Sequence, residues 1–453
     1  MARTFLSADF LRRAGISVAT PSDPEYDTRR ATFNGLIDRR PTLVATCSSS
    51  ADVAAVINHA RESGLPVSVR GGGHSVAGHC IGDGAAVVDL SGMRQVRVDA
   101  TNRLAIAGGG ATWLEYDTAT QKFGLASTGG TFTDTGIGGL TLGGGIGYLQ
   151  GTLGFAVDSL VAVEMVTADG EIIRASDREN ADLFWAIRGG GGNFGVVTSF
   201  EYRVHPVGEL YGGVIAYPVA DAAKMLRLAR DLAAGAADEL VLQAVLSTSR
   251  ETRDEVAAII VCFQGSVSAG ERAIAPLRNT LQPVLDALRP LTYNEMQATS
   301  APFPFGLRHY WKGQFLSEFP DEMVDMAVEE FHRRPVPSLS TLLFEFIEGA
   351  PNRVPAPTMA FNHRGARFNV SALGIWEDPA QDTGQIEWAR RFAGALTPGS
   401  AGASYVNYMN ADEPSERVRL AYGDQKFDRL RQIKKRYDPD NIFRFNQNIL
   451  PAV

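Results

Sequence analysis

Apolar residues at Val53, Val56, Ile57 and Ala60 recur at i, i+3, i+4 and i+7, the spacing that makes one buried stripe on an α-helix. Ser50 stands where an N-cap is needed, Asp52 falls in the first turn and Gly64 closes the segment, so a helix is predicted between them. Short strand-like runs follow at 66–69, 86–90, 95–98 and 104–107, and a second helix is predicted from about Trp113 to Phe123, where Gly124 stops it. Apolar runs at 160–166 and 171–173 flank Thr167-Ala168-Asp169-Gly170 and read as a hairpin, and 196–200 reads as a further strand. Residues up to about 38 are polar and irregular, with Pro21 and Pro24 marking an extended lead-in. From about 211 to 403 longer helical patterns at 222–232, 321–333 and 384–396 alternate with β-rich runs at 240–246, 257–263, 342–347 and 368–376. That stretch predicts a second α+β domain with its own sheet and helices on one face. The tail returns to short elements around Tyr405-Val406-Asn407-Tyr408 and a helix over 425–436.

Three glycine-rich loops interrupt these patterns, each beside a strand. The first is Arg70-Gly71-Gly72-Gly73-His74-Ser75, directly behind the run at 66–69. The second spans 129–147, with Gly136, Gly138, Gly139 and Gly143 to Gly145 interleaved with Thr131, Thr133, Thr135 and Thr141. The third is Gly189-Gly190-Gly191-Gly192-Asn193-Phe194-Gly195. Glycine lets backbone approach a ligand closely and leaves N–H groups free for anionic oxygens, while histidine can form a covalent bond to a cofactor. A single such loop is more often an ordinary turn. Ile137, Leu140, Leu142 and Ile146 keep apolar anchors through the second loop, which a flexible linker would lack. The commoner nucleotide folds do not fit. No GxGxxG opens a helix, no GxxxxGK[ST] occurs and GxSxG is missing. A flavin or similar dinucleotide held by a strand-and-loop architecture remains.

Composition bounds the rest. At 453 residues and 48.7 kDa, about two domains are expected, one of them possible as an insertion in the other. The net charge of −8 argues against nucleic-acid binding, and no uninterrupted apolar run reaches the roughly 18 residues of a membrane span. The basic run at 429–436 reads as a solvated helix face opposite Phe427, Leu430, Ile433 and Tyr437. The N-terminus loses its apolar character too early for a secretory signal, which predicts a cytoplasmic protein. Cys47, Cys80 and Cys262 form no CxxC or Cys/His cluster and are expected as buried free thiols; the seven histidines show no metal-ligand spacing.

Taken together, Arg70 to Ser75 with Ala77-Gly78, Val88 to Met93, Gly136 to Gly147, Gly191 to Thr198, Tyr437 to Asn441 and Asn446-Gln447-Asn448 resemble the berberine bridge enzyme-like FAD-linked oxidases. That group includes 6-hydroxy-D-nicotine oxidase and antibiotic-tailoring oxidases of the vanillyl-alcohol oxidase fold. The resemblance implies an α+β chain: a bilobed PCMH-type FAD-binding domain over 38–207, completed by 410–453, with an inserted α+β substrate domain over 211–403 whose antiparallel sheet is covered by helices. It implies that His74 carries the 8α-methyl group of FAD through a ring nitrogen. Many members add a second link from a cysteine four residues before the glycine equivalent to Gly136. Phe132 stands there, so a single histidyl tether is expected, and Phe132 speaks against the very open site of oligosaccharide-oxidising members. Cys80 lies too close to His74 in sequence to be that residue. FAD contacts are implied at Arg70, Gly71, Gly72, Gly73, Ser75 and Gly78, at Gly136, Gly138, Gly139, Thr141, Gly144, Gly145 and Gly147, and at Gly195, Val197 and Asn446.

The family's usual base, a tyrosine in a strand reading Asn-Tyr, maps onto Tyr408 after Asn407. A phenol of pKa about 10 can act as base where positive charge or hydrogen bonds stabilise its phenolate. Tyr405, Tyr148 and His363 are weaker pocket candidates. The expected activity is an FAD-dependent oxidase that takes hydride from an alcohol, amine or secondary-metabolite substrate and reduces dioxygen to hydrogen peroxide. The expected partners are that small molecule and dioxygen, without nucleic acid or membrane, in a monomer or homodimer. The alternatives are a flavin dehydrogenase using another acceptor and a flavin-binding protein without turnover; the second would be expected to lack the tyrosine. Residues 211–403 carry no motif that names a substrate.

Overall fold

The computed structural model describes residues 8–400 and 404–453. Residues 1–7, on which the reading of the N-terminus rests in part, and 401–403, the expected end of the inserted domain, lie outside the described residues. The chain is α+β. A four-stranded sheet orders Ser17–Ala19, Leu43–Thr46, Ala86–Asp89 and Val67–Arg70, the last three parallel. A five-stranded antiparallel sheet orders Val96–Asp99, Leu104–Gly108, Val196–Arg203, Leu160–Val166 and Ile172–Ser176. The lead-in expected to be irregular contributes helices Asp9–Arg13 and Tyr26–Arg30 and the first strand of that first sheet. Its apolar residues show no period because they are spent singly: Leu11, Ile16, Val18 and Tyr26 are each buried, and Ser17 pairs with Thr46 across the sheet.

The helix read from the stripe at 53–60 runs Ser50–Ser63 and ends at Gly64, which has a left-handed φ of 66°. Its cap is Ser49, one residue before the expected Ser50. Ser49 accepts the Asp52 N–H, and Asp52 accepts the Ser49 N–H in return. Ser50 instead donates its hydroxyl to Glu164 at 2.5 Å, fastening the helix to the second sheet. The second glycine loop also differs from expectation, since it contains a short helix, Ile137–Leu142, anchored by the buried Ile137 and Leu142. Six residues with two glycines are too few for a periodic signal.

Between Leu210 and Trp376 lies an eight-stranded antiparallel sheet. Alternate residues of each strand face opposite ways. One face, including Leu242, Ala244, Leu342, Phe344, Val370 and Ala372, packs in a core with helices Ala222–Ala234, Asp321–His332 and Asp382–Ala395. The opposite face is built by register: Gln243, Glu345, Asn369 and Phe315 stand side by side in one row, then Val245, Leu343, Ser371 and Gly313 in the next. Thr341, Leu373 and Trp311 make a third row. Among the described residues no helix is long and apolar enough to cross a membrane. All three cysteines are buried and free.

The C-terminal helix Asp424–Tyr437 buries Leu430 and Ile433 as its pattern predicts, but its basic run is not wholly a solvated face. Lys434 is fully buried, and its ammonium donates to Asp438 Oδ2 at 2.6 Å, to the Asn193 carbonyl at 2.7 Å and to the Phe443 carbonyl at 2.9 Å. Three acceptors match the three protons of an ammonium and offset its desolvation. The i, i+4 placement of Lys434 and Asp438 is visible in sequence; of the carbonyls that complete the site, Phe443 follows nine residues on and Asn193 comes from the distant third glycine loop. Removing one partner of a buried pair leaves the other charge unpaired, so Lys434→Ala should lower stability by about 3–5 kcal/mol, measured by chemical denaturation, and Lys435→Ala on the same helix should change it little.

Candidate active site

The first two glycine loops cross backbone to backbone. A Cβ placed on Gly72 would stand 2.5 Å from the Gly136 nitrogen, and one on Gly136 would meet Gly72 in turn, so neither position admits a side chain. Gly73, at φ 70°, turns the chain so that His74 follows. The third loop closes the far wall. Gly195, at φ 155°, lies where a Cβ would come 2.6 Å from the Val166 carbonyl. The buried Asn193 donates to the Gly190 carbonyl at 2.8 Å and accepts the Ile449 N–H at 3.0 Å, tying this loop to the C-terminal segment.

These loops enclose a cavity of about 290 Å³ that also reaches the eight-stranded sheet. Of the residues singled out in the sequence, Gly71 to Ser75 line it from the first loop, and Gly136, Gly138 and Gly139 from the second. Gly195, Val197, Asn446 and Tyr408 line it as well. Others stand off its wall for identifiable reasons. Arg70 donates to the Arg29 carbonyl. Gly78 packs on Ile37, and Thr141 shares a 2.8 Å hydrogen bond with Tyr202. Gly144, Gly145 and Gly147 give close packing against Phe361, Ala156 and Gly129. Tyr405 is in the wall, its hydroxyl accepting from the Gly145 N–H and from Asn407, both at 2.8 Å. Tyr148 bonds Ser300 instead, and His363 bonds the Ala421 carbonyl beside a separate small pocket.

His74 is held between aromatic rings. Phe33 stacks on its imidazole at 4.0 Å and 16°, and His309 stacks on the far face of Phe33 at 4.2 Å. Phe132 lies 6.5 Å away. His309 is fully buried, and burial pushes its pKa down to about 3, so it stays neutral. His79 also lines the cavity, and burial pushes its pKa down to about 4. Its Nε2 is buried without a hydrogen-bond partner. The sequence showed only a histidine five residues beyond His74, with nothing to mark it.

Tyr408 lies in a single 3₁₀ turn, Val406–Tyr408, and not in the strand its motif implied. Its ring meets Trp311 edge-on at 5.4 Å, and its hydroxyl donates to Glu345 Oε1 at 3.4 Å. Burial, and then the Glu345 charge, hold its pKa well above the ordinary value of 10.0, so the phenol keeps its proton. Among the described residues no lysine or arginine lines the cavity beside it. Glu345, which the sequence reading missed, is 1% exposed, and burial raises its pKa from 4.5 to about 7. Asn369 donates to its other oxygen at 2.5 Å. The fold therefore favours the neutral carboxyl: the stability this group contributes is complete below about 4.5 and is lost as pH rises through about 7. A signal for it existed, since Glu345 is the one acid in the apolar strand Thr341–Phe346. Its direction, toward the cavity side of the sheet, depends on register.

The residues fit a flavin dinucleotide. Backbone without side chains surrounds one end of the cavity, and buried atoms of residues at its wall, His79 Nε2 and Asn446 Oδ1, lack hydrogen-bond partners. Profile matches agree: residues 41–176 match an FAD binding domain, and 404–450 match the berberine and berberine-like family. (R)-6-hydroxynicotine oxidase of Paenarthrobacter nicotinovorans is 32% identical over 447 residues, covering 96% of each chain. This chain belongs to the berberine bridge enzyme-like FAD-linked oxidoreductases. Solved structures show the same fold in this family. 6-Hydroxy-D-nicotine oxidase from Arthrobacter nicotinovorans superposes with a TM-score of 0.86 at 30% identity, over 96% of this chain and 98% of that one. Xylooligosaccharide oxidase from Myceliophthora thermophila, in complex with xylobiose, gives 0.88 at 25% identity over 98% and 99%. The berberine bridge enzyme-like fold accounts for the two sheets under the glycine loops and for the inserted third sheet. Because the loop crossing admits no Cβ, Gly136→Ala should lose flavin from the purified protein, read as a fall in the visible flavin absorbance per protein, while Gly208→Ala, which meets nothing within 4 Å and lies off the cavity wall, should keep it.

Proposed function

We propose that this oxidoreductase is an oxidase that acts on a compact apolar or aromatic alcohol or amine. The Tyr408–Glu345 pair carries the reading. Bound FAD would supply the two-electron acceptor that takes hydride from the substrate carbon and returns electrons to dioxygen as hydrogen peroxide. The chain supplies the proton path. The substrate's hydroxyl or amine proton passes to the Tyr408 oxygen while the Tyr408 proton passes to Glu345, so no free phenolate has to form against a carboxylate. Asn369 holds the second Glu345 oxygen and so orients the carboxylate toward Tyr408. Trp311, Leu343 and Leu373 supply an apolar floor. A sugar oligomer would leave many hydroxyls there without partners.

His74 is the single tether in this reading, because the Phe132 ring offers no nucleophile where a second link would start. The organisation we propose keeps 38–207 with 410–453 as the FAD-binding part and 211–403 as the substrate part.

The pH dependence tests the proton path. Glu345 must be ionised to accept a proton, so kcat/KM should rise with pH and level off above about 7. Glu345→Gln should remove that limb and lower kcat by roughly 10²–10⁴ with flavin content unchanged. A pH profile in Glu345→Gln that matches the unsubstituted enzyme would exclude Glu345 as acceptor. Peroxide release assayed across aromatic alcohols, aromatic amines and oligosaccharides tests the substrate class, and turnover confined to the oligosaccharides would overturn it.

A further inference from the structure

We propose that Asp134 is the positioning residue for His74: it holds the proton on His74 Nε2, so that Nδ1 presents the lone pair that bonds the flavin. The inference rests on the reading of His74 as tether and assigns a residue to the making of that bond.

The observations lie at the loop crossing. Asp134 Oδ1 stands 3.4 Å from His74 Nε2, and both atoms are buried without another hydrogen-bond partner. Two orphaned polar atoms that face each other satisfy one another after a small rotation; apart, each would carry an uncompensated desolvation cost. The pair is set by backbone. Asp134 is two residues before Gly136 and His74 two residues after Gly72, and Gly72 and Gly136 are the residues whose backbones meet. The Asp134 carbonyl itself lies 3.4 Å from the Cβ position of Gly72. Phe33, stacked on the imidazole, fixes the plane of the ring. With plane and distance both fixed, a carboxylate at Nε2 selects one of the two neutral tautomers. Two basic groups lie in this shell and both are engaged: Arg70 donates to the Arg29 carbonyl, and Arg250 donates to the carbonyls of Ala301 and Pro302 and stacks on Phe303 at 4.0 Å.

The chemistry balances. A C–H bond of the flavin 8α-methyl group breaks, and a bond forms between that carbon and Nδ1. The ring system takes up the electron pair, so the flavin is left reduced by two electrons. The methyl proton and the Nε2 proton, the latter drawn off through Asp134, end on the reduced flavin. Dioxygen then accepts two electrons and two protons, becomes hydrogen peroxide and restores the oxidised cofactor. Without Asp134 the imidazole would populate the other tautomer, whose Nδ1 carries a proton and has no lone pair to offer.

The experiment follows bond formation and not turnover. Unsubstituted protein, Asp134→Asn, Asp134→Glu and His74→Ala are purified, flavin is quantified in the native protein from its visible absorbance, and the covalent share is read from fluorescence of the acid pellet and from intact mass. Apo-protein mixed with FAD in air gives the rate of attachment. Asp134→Asn should bind FAD in the native state, as His74→Ala should, yet attach it roughly 10- to 100-fold more slowly, the size of effect expected when the group orienting a histidine is removed. Asp134→Glu should recover part of the rate. Attachment at the unsubstituted rate in Asp134→Asn overturns the proposal. So does loss of native FAD binding in Asp134→Asn together with a lowered melting temperature, since that marks a structural role. A colourless acid pellet from the unsubstituted protein would instead sink the tether itself, which separates the two failures.

Discussion

The contact on which the active site depends is the crossing of two backbones at Gly72 and Gly136, where no side chain fits. Each glycine belongs to a loop that springs from a different sheet: the first leaves strand Val67–Arg70, and the second precedes helix Ile137–Leu142 behind the five-stranded sheet. Hydrogen bonds from the second loop to the residues before it, Trp113 N–H to the Thr135 carbonyl at 3.0 Å and Ile137 N–H to the Ala111 carbonyl at 2.9 Å, hold it in place. The crossing thus makes one wall from two separately packed cores and brings His74, Asp134 and Phe132 into one neighbourhood. Backbone groups near a cofactor are useful because they donate hydrogen bonds without rotamer freedom to lose.

The second constraint is the pleat of the large sheet. One face is sealed by helices, so the other is free to vary in chemistry without loss of the core. Its rows grade from polar, at Gln243, Glu345 and Asn369, to apolar, at Leu373 and Trp311. Gly313 matters here: the Ser371 hydroxyl occupies the place where its Cβ would stand, so only glycine leaves room for that side chain. The acid that would take a proton is therefore placed by a main chain whose stability comes from the opposite face. Tyr408 arrives from the chain's return to the first lobe, in a turn whose neighbouring Asn407 and Tyr405 are bonded to the second glycine loop. The Tyr408–Glu345 contact therefore joins the C-terminal return of the chain to the large sheet.

A third tie locks the C-terminal segment to the flavin loops. Lys434 links Asp438 with the carbonyls of Asn193 and Phe443, and Asn193 in turn holds the Ile449 N–H. Buried polar groups of this kind need every proton and lone pair matched, which gives the segment one way to close over the cavity.

Much of this was legible in the residues. Glycine clusters beside strands mark a long anionic ligand because only glycine permits such backbone approach, and alternation along 240–246 and 368–376 marks strands because the pleat has a period of two. The helices at 222–232 and 321–333 could be named from local order, whereas the tether candidate at His74, the phenylalanine at 132 where many relatives carry a cysteine and the role of Tyr408 came from the family resemblance. What local order could not carry was any relation set by distant chain. Helix Asp9–Arg13 and strand Ser17–Ala19 need a partner strand before their few apolar residues acquire a direction. Lys434 reads as solvated because the Asn193 carbonyl that helps bury its charge lies on a distant loop. Tyr408 could be named without its partner, because Glu345 is brought opposite it only by sheet register. Residue type and short-range spacing are enough to mark the cofactor class and the kind of elements. Only the tertiary structure decided the electrostatics of the site, because pKa values depend on burial and on neighbours that the chain brings together from far apart.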